Sequence, residues 1–379
     1  MQHPNVQIDF DKIEKDLFLA VSKMMKWDCS KIENLHKDFK KSLQTKIEQL
    51  SDQFTHNRPK QIEPYFQANI DVAAYAMHFH AATMQRMMSV CAEIPPNMFS
   101  HQKRIRVLDI GAGTGAALQG FLFWLHQVYP ALRVEADLLD QSLKVLTFAK
   151  NFLLSTTPYP EKIEIIPLDL KQEKLSSDAY DVVIACNVLN EIGGIENIHS
   201  IVEKMHSQSL LILIEPALFE TSRLVMNTKK KWTNIGLHVL APCTHDLDCP
   251  MLHSSKDWCH FETSWESGAF RKSMDHRLHH ESILSYSYMI LSKTGYEMNE
   301  KRVLSSVLKS RIKKVNCLQV CGHKQVEYLY FDKRNVQMKG IQKGQKLMLP
   351  TLDRYLDAKK YFSDQEAFWV PNDTDIKIK

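Results

Sequence analysis

The residues most able to do chemistry form one short run, Val107 to Gly115, in which an acid and three glycines complete an apolar stretch. Asp109 lies near the end of that stretch, and Gly111, Gly113 and Gly115 follow at alternate positions. Glycine lets the backbone turn sharply and approach a ligand without a Cβ in the way. The run predicts a strand, a tight loop and a helix that hold a nucleotide-like cofactor.

Two later acids occupy comparable positions. Asp140 ends the second predicted strand, where a carboxylate can accept hydrogen bonds from both hydroxyls of a ribose. Asp169 follows the third predicted strand and is placed to meet an adenine amino group. Each acid has an alternative role as a helix cap or a loop acid.

The loop fits two cofactor classes, and we expect S-adenosylmethionine (SAM). The spacing Gly111-x-Gly113-x-x-Ala116 also satisfies the looser fingerprint of nicotinamide dinucleotide folds. Asp109 inside the turn and a third glycine at 115 are more typical of SAM sites. The expected cofactor-binding residues are Asp109, Gly111, Gly113, Gly115, Asp140 and Asp169.

The segment after the fourth predicted strand, Cys186 to Ile192, occupies the place that usually faces the atom to be methylated. It lacks the Asn/Asp-Pro-Pro-aromatic signature that holds an exocyclic amino group. Cys186 could act as a nucleophile on a pyrimidine carbon, but a buried thiol on an interior strand is the favoured interpretation. No catalytic base is identified.

Five of the eight cysteines lie within 79 residues, which makes metal binding the leading explanation for them. Cys243, Cys249 and Cys259 are too widely spaced for a C-x-x-C knuckle, but they can surround one centre with a fourth ligand from elsewhere. Cys317 and Cys321 are the candidates and share one face of a predicted strand. Four thiolates suit zinc or an iron–sulfur cluster equally well.

The elements that must position these residues divide the chain into three regions. Residues 1–100 are expected to form a helical module, with helices at 31–50 and 73–90. Residues 101–300 alternate strands and helices, which predicts an α/β, Rossmann-like, doubly wound parallel sheet of the class I SAM methyltransferase type, with an irregular cysteine-rich loop at 241–262. Regular alternation stops between about 221 and 280. Residues 301–379 form a basic region with short strands.

The expected strands are short apolar runs, and the helices lie between them. Strands are expected at 105–110, 133–139, 163–168, 181–186, 210–214, 285–291, 315–321 and 326–331, and helices at 115–128 and 141–154.

Charge is unevenly distributed along the chain. Residues 301–379 carry 17 Lys and Arg against 8 Asp and Glu, whereas the whole chain has a net charge of only +4. Either a polyanionic partner or a solvated lysine-rich surface accounts for this excess. No apolar run is long enough to span a membrane, and the acidic segment 1–20 resembles neither a secretory signal nor a mitochondrial presequence, so we expect a cytoplasmic protein.

Several of these motifs together resemble a known family. The glycine run, Asp181 to Glu191, Leu213-Ile214-Glu215-Pro216, and above all Leu240 to Pro250 with Asp257-Trp258-Cys259-His260-Phe261, are similar to the methyltransferase-like family associated with the mitochondrial small ribosomal subunit, which also has bacterial members. The resemblance runs from about residue 75 to 334. Departures include Ala217-Leu218-Phe219 after Glu215-Pro216, where the family has a glycine-containing turn.

The resemblance implies a SAM-binding fold that acts on or with the small ribosomal subunit and its rRNA during ribosome biogenesis. It also implies a 4Fe-4S cluster, with zinc as the alternative, held by Cys243, Cys249, Cys259 and, by the family's pattern, Cys321. Two functions follow: a SAM-dependent rRNA methyltransferase, or a non-catalytic assembly factor with a structural iron–sulfur cluster.

Overall fold

The computed structural model of the chain describes residues 8–28, 34–54, 65–176, 179–274, 282–295, 300–322, 325–355 and 366–378. Cys29 and the start of the helix expected at 31–50 lie outside the described residues. No helix in the described ranges is both long enough and apolar enough to cross a membrane.

Three helices precede the first strand: α1 (Phe10–Met25), α2 (Lys37–Phe54) and α3 (Asn69–Cys91). The carboxylate of Asp9 caps α1 by accepting a hydrogen bond from the backbone N–H of Lys12 at 3.0 Å. Each helix buries an apolar face in a shared core. The helical character predicted for this region is confirmed in the described residues, although α1 was not singled out from the sequence.

The next part of the chain alternates strands and helices, as predicted. The elements are β1 (Arg104–Ile110), α4 (Ala116–Val128), β2 (Arg133–Asp140), α5 (Leu143–Ser155), β3 (Lys162–Pro167), β4 (Val182–Cys186), α6 (His199–Glu203) and β5 (Leu210–Pro216). The expected strands agree with these bounds to within one or two residues. Strands β4 and β5 are almost wholly buried. Parallel strands that are covered on both faces have continuous apolar sequences, which is why these two were easy to predict.

The elements that follow are α7 (Phe219–Asn234), β6 (His238–Ala241), β7 (Phe261–Ser264), α8 (Ala269–Met274) and β8 (Ile283–Ser292). The expectation that regular alternation stops at about 221 is wrong for residues 219–241, because α7 fills 219–234 and β6 follows it. The helix is rich in Lys, Thr and Asn, and four of its seven buried residues are polar, beside Val225, Met226 and Trp232. The strand expected at 285–291 is confirmed within β8.

The larger sheet has the strand order β3-β2-β1-β4-β5-β8-β6, with β7 paired to β8. Its first five strands pair in parallel, and β6 runs antiparallel to β8. This is the order of class I SAM methyltransferases, so the predicted fold class is confirmed. The order reverses between β1 and β4, and ligands bind at such a switch point, outside the carboxyl ends of the strands.

A second sheet follows, formed by β9 (Lys301–Val303), β10 (Leu308–Lys309), β11 (Val315–Cys321), β12 (Val326–Asp332), β13 (Lys346–Met348), β14 (Glu366–Val370) and β15 (Lys377–Ile378), with helix α9 (Val336–Lys339) after β12. Its strand order is β14-β12-β11-β9-β13-β15, with β10 also paired to β11. The short strands expected at 315–321 and 326–331 are both present.

The chain folds as two compact units. The first comprises Met1–Ile214 with Thr263–Leu284, and the second Glu215–Glu262 with Ser285–Lys379. All six expected cofactor-binding residues belong to the first unit, and Cys243, Cys249, Cys259 and Cys321 belong to the second.

Candidate functional site

The glycine loop, residues 111–115, leaves the end of β1 with a left-handed backbone at all three glycines. A Cβ at Gly111 would lie 2.3 Å from Cγ2 of Val188, so this position has no room for a side chain. A Cβ at Gly113 would meet nothing nearer than Cε1 of Tyr75, at 3.8 Å. Of the three glycines, Gly113 therefore has the most room for a side chain, whereas Gly111 is the one that lines the cavity described below.

Asp109 is fully buried beside the glycine loop, and neither of its carboxylate oxygens makes a hydrogen bond within the described chain. Burial raises the pKa of the Asp109 carboxyl to about 7. The backbone N–H of Leu118 lowers this pKa, although it lies outside hydrogen-bonding geometry, and the nearby carboxylate of Asp140 raises it. A buried carboxyl without a partner is costly and favours a cationic ligand. The ammonium group of SAM fits this requirement.

Asp140 ends β2 and connects that strand to the glycine loop. Its Oδ2 accepts a hydrogen bond from the backbone N–H of Gly113 at 3.1 Å, and its Oδ1 accepts one from Ser142 at 2.9 Å. Burial raises its pKa to about 6, and these backbone donors act against that rise. Each carboxylate oxygen has a second lone pair, so Asp140 can support the loop and still accept from a ribose.

Asp169 follows β3 and closes its own turn. Its Oδ1 accepts from the backbone N–H of Lys171 at 3.0 Å, and its Oδ2 accepts from the side-chain amide of Gln172 at 2.9 Å. These contacts match the loop-acid alternative. Asp169 also lines the cavity described next, so its contact with an adenine stays a prediction.

A cavity of about 280 Å³, here called the glycine-loop cavity, lies against the carboxyl ends of β1, β2 and β3. It contains three of the expected cofactor-binding residues, Gly111, Asp140 and Asp169. Tyr65 and Phe66, just before α3, form another part of its wall. These two aromatic residues were missed by sequence reasoning, since nothing local shows that a segment before α3 reaches this cavity.

His80 of α3 fixes the glycine loop from the helical side and was also missed. Its Nδ1 lies 2.9 Å from Oγ1 of Thr114, and its Nε2 lies 2.7 Å from Oε1 of Gln119. Burial lowers its pKa to about 4, while the bond to Gln119 acts in the opposite direction. A neutral imidazole therefore connects α3, the loop and α4.

The segment after β4 borders the same cavity through Val188, Glu191 and Ile192. Asn187 has a left-handed backbone, with φ of 59°, a conformation that is costly for a residue other than glycine and is found often at functional sites. Cys186 is buried. Burial raises the pKa of the Tyr75 hydroxyl, and Glu191, Cys186 and Asp140 raise it further.

The second candidate site is the group of four cysteines. Cys243 follows β6, Cys249 precedes a single 3-10 turn (Pro250–His253), Cys259 precedes β7, and Cys321 ends β11. Burial raises the pKa of the Cys259 thiol well above its ordinary value, and Cys243, Cys249 and Cys321 raise it further. The same causes act on Cys321, with Cys243 and Cys249 as neighbours. The four thiols therefore share one neighbourhood.

Cys317 has different surroundings, although it lies on the same face of β11. It packs in an apolar cluster with Val315, Tyr330 and Ala367. Burial alone raises its pKa, to about 11, with no contribution from the other cysteines. The structure thus brings Cys321, rather than Cys317, to Cys243, Cys249 and Cys259.

Two buried cations accompany these thiols. Lys229 of α7 is 1% exposed, its Nζ lies 3.3 Å from Nδ1 of His245, and Nε2 of His245 lies 3.7 Å from Sγ of Cys321. Arg302 is 2% exposed and donates from Nε to the carbonyl of Pro242 at 2.9 Å. Both cations lower the pKa of Cys321 against the effect of burial.

The donor chemistry fits a thiolate-bound metal centre. Burial raises the pKa of the Cys249, Cys259 and Cys321 thiols, and a bound metal would displace the protons of all four cysteines. Lys229 and Arg302 would offset the resulting negative charge. Among the described side chains, no group of three or more His, Cys, Asp or Glu converges as a ready-made set of ligands for one ion.

The fold and the glycine-loop cavity define this chain as a methyltransferase-like protein of the class I type. The family model described as "Rsm22: Mitochondrial small ribosomal subunit Rsm22" matches residues 69–347. The chain belongs to this family.

Matches to individual proteins are more distant. A structure from Listeria monocytogenes, described as a class I SAM-dependent methyltransferase, is 12% identical, with 75% of this chain and 80% of that one covered and a TM-score of 0.37. Precorrin-6y C5,15-methyltransferase from Geobacter metallireducens is 13% identical, with 64% and 95% covered and a TM-score of 0.33. A highly reducing polyketide synthase from Penicillium soppii is 29% identical over 150 residues, which are 38% of this chain and 5% of the synthase.

Proposed function

We propose that this protein binds SAM in the glycine-loop cavity and methylates rRNA of the small ribosomal subunit during subunit assembly. The observation that carries the proposal is the buried Asp109 carboxyl, which has no hydrogen-bond partner in the described chain and comes two residues before Gly111, a glycine of the cavity wall. Membership of a small-ribosomal-subunit family supports the choice of substrate.

Within this proposal each residue has a defined task. Asp109 receives the ammonium group of SAM, and the loop glycines Gly111, Gly113 and Gly115 keep the main chain close to the methionine part. Asp140 accepts hydrogen bonds from the ribose, and Asp169 lies toward the adenine. Bound SAM supplies an electrophilic methyl group. The helices before residue 100, the cysteine loop 241–262 and the basic region 301–379 are the surfaces we assign to RNA.

We further propose that Cys243, Cys249, Cys259 and Cys321 hold a 4Fe-4S cluster, with zinc as the alternative. The support is the shared neighbourhood of the four thiols and the two buried cations next to them. A bound cluster would join the loop after β6 to the end of β11. Visible absorption near ~400 nm after anaerobic purification is expected for a cluster, and stoichiometric zinc in a colourless protein would refute it.

The decisive experiment measures transfer of labelled methyl groups from SAM to small subunits from cells that lack this protein. We expect label in the rRNA with the wild-type chain and none with Asp109→Ala. Glu203, an exposed residue of α6, provides a matched control as Glu203→Ala. Equal label with Asp109→Ala and with wild type would refute the proposed role of this site.

The second candidate is a non-catalytic assembly factor. It is favoured by the description of the family, which names the small ribosomal subunit and no reaction. This alternative predicts no label, together with co-sedimentation of the protein with immature small subunits. It also predicts that Gly113→Arg leaves subunit binding intact.

The compartment is part of the proposal. We keep the cytoplasm as our expectation, while the family's name points to mitochondria. Fractionation of cells that express the tagged full chain would show which population of small subunits it accompanies.

A further inference from the structure

The second sheet has two unlike faces, because side chains alternate along its strands. One face packs the main core of this part of the chain, through Leu318, Val320, Leu329, Phe331 and Val370. The opposite face, here called the aromatic face, carries Tyr328 and Tyr330 of β12, Trp369 of β14, and Tyr355. A smaller cluster of Val315, Cys317 and Ala367 lies beneath it.

The aromatic face is a continuous row of rings. The ring centroids of Tyr328 and Tyr330 are 6.4 Å apart with nearly parallel planes, Tyr330 and Tyr355 are 5.2 Å apart, and Tyr355 and Trp369 are 5.0 Å apart. Tyr330 is fully buried, whereas Tyr328, Tyr355 and Trp369 are half-buried. The row therefore presents ring surface to solvent over a fixed base.

Backbone and side-chain hydrogen bonds hold this row in place. The N–H of Tyr355 donates to the carbonyl of Ala367 at 2.8 Å, and the N–H of Trp369 donates to the carbonyl of Asp353 at 3.0 Å. The hydroxyl of Tyr328 accepts from the amide of Gln319 at 2.8 Å. A pre-positioned aromatic surface loses little conformational entropy when a ligand stacks on it.

One end of the sheet is strongly basic. Residues 309–314 contain four Lys and Arg, and residues 333–334 contain two more. The backbone N–H of Lys333 donates to the carbonyl of Lys314 at 2.9 Å, which brings the two segments together where β11 begins and β12 ends. We call these two segments the basic turn. Asp332, paired with Arg334, is the one acid within or next to its two segments.

We propose that the aromatic face and the basic turn together bind a single-stranded segment of RNA, with bases stacked on Tyr328, Tyr355 and Trp369 and phosphates held by the basic turn. The inference rests on the proposed function only in that the small subunit is the natural source of such a segment. Stacked aromatic rings beside a cationic groove are the combination that single-stranded nucleic acids need.

An acidic protein is the competing partner for the same charge. The basic turn would attract it equally, but an acidic chain gains little from three half-buried rings, whereas every base has a π-face to stack on them. The aromatic row therefore favours RNA, and the two partners differ in how strongly binding depends on Tyr355.

The test measures binding of a fluorescent 12-nucleotide uridine RNA to the full-length protein by anisotropy. Tyr355→Ala is expected to weaken binding roughly tenfold, and Tyr355→Phe, which keeps the ring, to bind as the wild type does. Tyr159, an aromatic residue of the first unit that is 63% exposed, provides the control Tyr159→Ala, which should have no effect.

The basic turn is tested separately with exposed residues, so that loss of folding does not obscure the result. The double variant Lys313→Ala/Lys333→Ala is expected to lower the slope of log affinity against log salt by about 1.4, or about 0.7 for each phosphate that is no longer neutralised. Lys103→Ala/Lys174→Ala changes two exposed lysines outside the surfaces assigned to RNA and should leave the slope unchanged.

Two results would overturn the proposal: Tyr355→Ala binding RNA as tightly as wild type, or polyglutamate displacing the RNA as effectively as unlabelled RNA does. A wild-type protein that binds small subunits but no oligonucleotide would also overturn it, while the proposed function stands. Oligonucleotide binding with the expected variant effects, but no methyl transfer and no subunit binding, would support this face and refute the proposed function.

Discussion

The carboxylate of Asp140 accepts a hydrogen bond from the backbone N–H of Gly113 at 3.1 Å. The acid expected to receive a ribose thus also sets the conformation of the loop expected to receive the methionine part. The two halves of the proposed cofactor site are mechanically joined before any ligand arrives. This pre-organisation reduces the cost of binding.

Gly113 and Gly111 should respond differently to alanine. Gly113→Ala adds a methyl group that only reaches van der Waals contact with Tyr75, at 3.8 Å, and it imposes left-handed strain of about 1 kcal/mol. We therefore expect a small loss of Tm but at least a tenfold loss of SAM affinity. Gly111→Ala drives a Cβ into Val188 and should lower Tm much more. Calorimetry and thermal melts test both, and normal SAM binding by Gly113→Ala would contradict the proposed site.

SAM affinity should rise with pH between about 5.5 and 7.5. The pKa of Asp109 is raised to about 7 and that of Asp140 to about 6, so acid protonates the groups that must receive the ammonium and the ribose. Well below pH 6 the loss approaches tenfold per pH unit for each group. Asp109→Asn should bind more weakly and with a flatter profile, and a wild-type affinity that is constant over this range would argue against Asp109.

Glu14 should contribute a stabilisation that decreases as pH rises. Burial raises its pKa from 4.5 to about 7, so the folded state prefers the neutral acid. The stability it contributes is complete below pH 4.5 and is lost as pH rises through 7, up to about 3 kcal/mol in total. Glu14→Gln should therefore flatten the dependence of Tm on pH between 5 and 8.

Glu48→Gln, at an exposed site in α2, is the control for this effect and should follow the wild-type curve. Identical pH dependence in wild type and Glu14→Gln would show that Glu14 is not the group responsible.

Metal content should separate Cys321 from Cys317. Cys321→Ser removes one of the four proposed ligands, so iron per chain and absorbance near ~400 nm should fall sharply, with a lower Tm. Cys317→Ser changes an apolar cluster on the same strand and should retain the metal. Equal loss of metal from both variants would contradict the ligand assignment.

The parallel sheet was readable from the sequence because its strands are buried on both faces. Val182 to Cys186 and Leu210 to Ile214 are continuous apolar runs, and the glycine loop is recognisable from its composition. Helix α7 was missed for a different reason, since four of the seven residues that it buries are polar. Hydrophobic periodicity does not reveal the burial of polar side chains.

Most of the contacts around the sites could not be predicted, because they join residues distant in sequence. His80 and Thr114 are 34 positions apart, and Cys321 lies 76 positions from His245. No periodicity connects such pairs. The choice between Cys317 and Cys321 shows the same limit: alternation places both on one face of β11, and only the neighbours supplied by other segments distinguish them.

The stretch Thr263–Leu284 belongs to the first unit, although it is flanked on both sides by the second. Helix α8 lies in this stretch, and its first residues are hydrogen-bonded to α1. Asp11 accepts a hydrogen bond from the backbone N–H of Ala269 at 2.7 Å, and Glu14 accepts one from the backbone N–H of Phe270 at 2.8 Å. Neither unit is encoded by one uninterrupted piece of the gene. A single crossover in the gene therefore cannot exchange one unit and leave the other whole.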